Sequence, residues 1–183
     1  MGRPLAPYAR RMALRDVTAG PAGLGRPLGP MAVRSTLPEY PPARVREILR
    51  GLPSATGYTV SVKELRWRTR PHLVAFTFWD SPDMLIQVPE PFRPFRELVD
   101  LGARGVPLVP FRNRREVIRF LYLHEFCHWW LYLTHGWGTS AEVLCDTYAY
   151  DNFRKLSVVA PPIWRRPRER LALKAPKRAA RLR

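Results

Sequence analysis

Proline divides this chain. Twenty prolines are spread through 183 residues, yet residues 111–160 contain none. A proline inside a helix removes one backbone donor and clashes with the preceding turn. Long helices are therefore confined to that one window. Its only glycines are Gly136 and Gly138, which mark a turn. The pattern predicts two helices, over about 113–134 and 140–155, joined through His135-Gly-Trp-Gly-Thr139. The first is apolar on nearly every side, with Val117, Ile118, Phe120, Leu121, Leu123, Phe126, Trp129, Trp130, Leu131 and Leu133. A helix that is hydrophobic all round belongs in the centre of a core.

Three polar residues interrupt that apolar helix in the run His124-Glu125-Phe126-Cys127-His128. Positions i and i+4 share one helix face, so both imidazoles can reach one Zn²⁺. Glu125 lies about 100° further round, where it meets a water beside the metal rather than the metal itself. Burying two imidazoles and a carboxylate is costly unless they are paired or ligating. A metal site explains all three; a hydrogen-bonded core histidine explains only one.

A catalytic zinc takes three protein ligands and leaves a fourth position open. The second helix, folding back beside the first, offers Glu142 as the third ligand. Asp146, one turn on, faces the same side and can hold the far nitrogen of a ligating His. Thr139 and Glu142 also fit a T-x-x-E capping box. If Glu142 serves that cap, Asp146 is the ligand instead. His135 stands seven residues past His128, about 10 Å along the axis, too far to share the metal. Cys127 and Cys145 read as small buried thiols rather than ligands. Tyr148 and Tyr150 are candidate donors to a developing oxyanion.

Upstream of the window the elements are short. Pro41-Pro42 precede an apolar stripe of Val45, Ile48 and Leu49, closed by Gly51, which predicts a helix. Residues 58–62, 72–79 and 84–88 read as strands, the last two joined by a turn at 80–83. Met84–Val88 is read as an edge strand, able to hold an extended peptide by strand addition. The prolines of 89–110 leave that stretch mainly loop, with a short helix near 94–101. The expected fold class is α+β: a small antiparallel or mixed sheet on a buried H-E-x-x-H helix and a second helix, flanked by disordered basic tails.

Charge sets the domain limits. The formal net charge is +16. Residues 1–36, rich in Pro and Gly, hold six arginines against Asp16 and read as a flexible basic arm. Residues 160–183 hold nine basic residues against Glu169 and read as a basic tail. That leaves +3 for a single domain over 37–159. Arg165, Arg166, Arg168, Arg170, Lys174, Lys177 and Arg178 are the candidate contacts to nucleic acid. Only four of the 31 basic residues are Lys, a bias that GC-rich codons also produce. Two cysteines make no disulfide framework, and no segment is long and apolar enough to span a membrane. A reducing, cytoplasmic setting is expected.

The stretch Arg119-Phe-Leu-Tyr-Leu-His124-Glu125-Phe-Cys-His128-Trp-Trp-Leu resembles the active helix of the zincin metallopeptidases. Glu142-Val-Leu-Cys-Asp146-Thr-Tyr-Ala149 resembles the E-x-x-A-[ND]-x-F-A segment of the ImmA/IrrE group of gluzincin-like peptidases. The likeness spans about 113–155. Cys145 replaces the usual Ala, and Cys127 the Gly of the H-E-x-G-H form. The resemblance implies one Zn²⁺ held by His124, His128 and Glu142, with Glu125 as general base. It also implies a protein or peptide substrate and a phage, plasmid or bacterial setting. Leu131-Tyr-Leu-Thr-His135-Gly136 is similar to the helix end of the DNA-associated SprT-like group. That group takes a third His further along, and no His follows His135 here. The contrasting expectation is a non-catalytic nucleic-acid-binding or assembly protein with a structural or vestigial metal site.

Overall fold

The computed structural model describes residues 29–78, 81–135 and 141–161. In chain order the elements are β1 (Ala32–Ser35), α1 (Pro42–Leu49), β2 (Thr59–Arg66), β3 (Val74–Phe78), β4 (Asp83–Glu90), β5 (Phe95–Leu98), β6 (Leu108–Phe111), α2 (Arg114–His135) and α3 (Glu142–Asn152). The class is α+β, with a four-stranded mixed sheet ordered β1-β2-β4-β3 and a separate β5-β6 pair. β1, β2 and β4 run parallel, and β3 lies antiparallel to β4. One sheet face carries Val60, Val62, Ala75, Met84, Ile86 and Val88, all buried. α2 packs across β3 and β4 and against α3.

Four expectations from the sequence need correction. The arm was expected to reach residue 36, but Ala32–Ser35 pairs in register with Thr59–Val62 and buries Val33. A four-residue run is diluted by its Pro- and Gly-rich neighbours when composition is averaged. Residues 1–28 and 162–183, with the tail contacts Arg165 to Arg178, lie outside the described residues. Met84–Val88 is not an edge: β4 is paired on both sides, and β3 is the last strand of the order. The stretch near 94–101 is no helix. Phe95 and Glu97 are half-buried while Arg96 and Leu98 are exposed, a period of two, and Phe95 stacks on Phe111 at 5.3 Å. Nor are residues 108–111 loop. Pro110 is tolerated there because a two-stranded ladder leaves half of its backbone groups facing outward.

α1 buries Val45, Ile48 and Leu49 as its stripe predicts. Gly51 follows with φ +80°, a left-handed conformation that favours glycine, and a Cβ there would collide with the Leu156 carbonyl. Val158 N–H donates to Gly51 O at 2.8 Å, so the segment after α3 closes over the end of α1. Arg119 ties these ends together from below. Its buried guanidinium donates to Phe153 O at 2.8 Å, to Ile48 O at 2.7 Å, and to Lys155 O. Burial lowers its pKa from the ordinary arginine value, with Arg115 adding a like charge. Among the described residues, no helix is long and apolar enough to cross a membrane.

Candidate metal centre

α2 delivers His124 and His128 from its buried face, 7% and 6% exposed. α3 starts at Glu142, directly after Ala141, and no side chain caps it. Glu142 is thus the first residue of the helix, and Thr139, its partner in the capping box, lies outside the described residues. The turn at 136–140 and the side chain of His135 are also outside them.

The three residues converge. His124 Nε2 and His128 Nε2 are 3.1 Å apart. Glu142 Oε2 lies 3.3 Å from His124 Nε2, and Glu142 Oε1 lies 3.5 Å from His128 Nε2. Ligands about 2.0–2.1 Å from a zinc at tetrahedral angles sit about 3.3 Å from one another. The observed edges bracket that length. His124, His128 and Glu142 thus form a group that could hold one metal ion. Two imidazole lone pairs and a carboxylate facing one point also need a positive charge between them. Burial works against a charged His124, but hydrogen bonds to Asp146 and Glu142 outweigh it and hold its pKa at about 10. Burial likewise opposes the Glu142 carboxylate, and the two imidazoles hold it far below the usual carboxylate range. A metal competes with a proton for this position.

Behind the cluster, Asp146 Oδ1 lies 2.8 Å from His124 Nδ1. That contact turns Nε2 toward the cluster and fixes the tautomer. Asp146 therefore stands behind His124, and Glu142 is the carboxylate within the cluster. Replacing Asp146 by Ala is expected to weaken binding of a metal ion there by about 10–100-fold. Competition with a chelating dye measures this; an unchanged affinity would deny Asp146 the orienting role.

Glu125 is 2% exposed and points from α2 toward β3. Thr77 Oγ1 donates to its Oε2 at 2.7 Å. Its Oε1 is buried and has no hydrogen-bond partner among the described residues. Sequence reasoning missed Thr77. Its one local signal was a polar side chain on the same strand face as Ala75, in a strand otherwise made of apolar residues.

The remaining candidates are engaged elsewhere. Tyr148 donates its hydroxyl proton to Val159 O at 2.7 Å, so it is not poised toward an oxyanion. Tyr150 lies under the Arg104 guanidinium, 5.6 Å from its ring centre. Cys127 and Cys145 are free and buried, and burial together with the neighbouring Cys127 pushes the Cys145 thiol far up. Both pack as small buried thiols, as expected. No family model, curated protein or solved structure matches the chain.

Proposed function

We propose that this protein is a zinc-dependent endopeptidase of the zincin kind, with His124, His128 and Glu142 as ligands and Glu125 as general base. One observation carries the reading. Beside a three-donor cluster stands a buried carboxylate with one oxygen held by Thr77 and the other without a partner among the described residues. A buried acceptor left unpaired costs stability, so its retention calls for a use. The donor set supports catalysis over a purely structural metal. Structural zinc sites close with four protein ligands, whereas three are gathered among the described residues. The Glu142 side chain is 53% exposed against 9% and 7% for the two histidines, so the cluster opens on that side.

A zinc ion held by His124, His128 and Glu142 would supply Lewis-acid polarisation of a scissile carbonyl and make water more acidic. The chain's own residues do the rest. Asp146 holds His124 in register, and Thr77 fixes the rotamer of Glu125. Glu125 Oε1 accepts the proton of the attacking water and passes it to the leaving amine.

Cleavage of an unfolded protein, followed by fragment mass spectrometry, tests the proposal. Cleavage is expected with zinc-loaded protein, lost with 1,10-phenanthroline and restored by adding zinc. Cleavage that persists in the chelator, or none by the zinc-loaded chain across a diverse peptide library, would overturn it.

A further inference from the structure

The folded body carries a basic surface of its own at the far end of the sheet. β2 runs out into Arg66-Trp67-Arg68-Thr69-Arg70, and the segment after β4 brings Arg93 over Trp67 and Glu97 to Arg70. Arg66 and Arg70 have side chains 86% and 67% exposed, and Arg68 and Arg93 are exposed as well. Two acids pair with these four arginines: Glu64 with Arg66, and Glu97 with Arg70. Arg68 and Arg93 form no ion pair among the described residues.

Trp67 sits within this cluster and is held in place. Its indole N–H donates to Pro91 O at 3.2 Å, and the Arg93 guanidinium lies over its ring, 5.7 Å from the centre. The result is a half-exposed indole layered with a guanidinium and ringed by cations. Aromatic and guanidinium planes stack on nucleic-acid bases, and arginine forks bind phosphates. A duplex keeps its base faces stacked inside and offers them nothing to stack on. Arg66 pairs with Glu90 and Thr77 with Met84, six residues apart along β4, so the patch lies about 20 Å from Glu125. Occupying it leaves the metal centre clear.

We propose that Trp67, Arg68 and Arg93 form a binding surface for single-stranded nucleic acid, with Trp67 stacking on a base and the arginines on phosphates. The inference does not rest on the peptidase reading. Fluorescence polarisation of the full chain with a labelled oligothymidylate, across a salt series, tests it. Trp67→Ala is expected to weaken binding about tenfold, with Trp67→Phe restoring most of it. The double variant Arg68→Ala/Arg93→Ala is expected to reduce the salt slope by about 1.4. Circular dichroism checks that each variant stays folded. Wild-type affinity and slope in the folded variants would overturn the proposal and place any binding on other basic residues. So would duplex preferred over single strand, or binding to phosphatidylserine vesicles with none to the oligonucleotide.

Discussion

Glu125→Gln is expected to keep its zinc and lose peptide cleavage by about a hundred- to ten-thousand-fold, the usual worth of a positioned general base. The substitution is nearly isosteric. The amide oxygen still accepts from Thr77 Oγ1, the 2.7 Å contact that holds the side chain. The NH₂ group then takes the place of Oε1, and it has no lone pair with which to accept a proton. Glu125 is not among the three converging ligands, so metal content is expected to stay at the wild-type level. Steady-state cleavage beside zinc content on one preparation makes the check. Activity within a few-fold of wild type at full zinc occupancy would exclude Glu125 as the base.

The largest expected effect on stability is at Arg119. Arg119→Met removes donors from three backbone carbonyls, at Ile48, Phe153 and Lys155, which close the ends of α1 and α3 against α2. A methionine fills much of the same volume, so the loss is one of hydrogen bonds rather than packing. Bonds to a charged group are worth about 1.5–3 kcal/mol each, and carbonyls left buried without partners add to the cost. Destabilisation of about 3 kcal/mol or more is expected, read from urea unfolding midpoints at an unchanged m-value. Arg119→Lys is expected to recover only part of it, since one ammonium cannot span the three acceptors. A loss below about 1 kcal/mol would show that the helix ends find other partners.

What could be read from the chain alone follows its local signals. The absence of proline from 111–160 and an apolar pattern on every side place α2 and α3 within a residue or three of where they stand. His124 and His128 are legible because helical spacing fixes their common face, and Glu142 because few residues separate the two helices. Legibility fails where pairing is non-local. Residues 32–35, 95–98 and 108–111 become strands through partners 10 to 30 residues away, against a local background of proline and glycine. The order β1-β2-β4-β3 could not be read from three strand-like runs, although the near-continuous apolar run of β4 suits a central strand. Thr77 was invisible for the same reason. It lies 48 residues from Glu125 and meets it only once β3 packs on α2.

One metal ion is expected between α2 and α3, on His124, His128 and Glu142. Elemental mass spectrometry of the purified chain, prepared without added zinc, tests this, with Glu142→Ala measured alongside. About one zinc per wild-type chain and a large drop in the variant are expected, since the carboxylate is one of the three donors that converge among the described residues. No zinc in the wild type, even after zinc is offered, would contradict it and leave His124, Glu125 and His128 as a hydrogen-bonded cluster in the core.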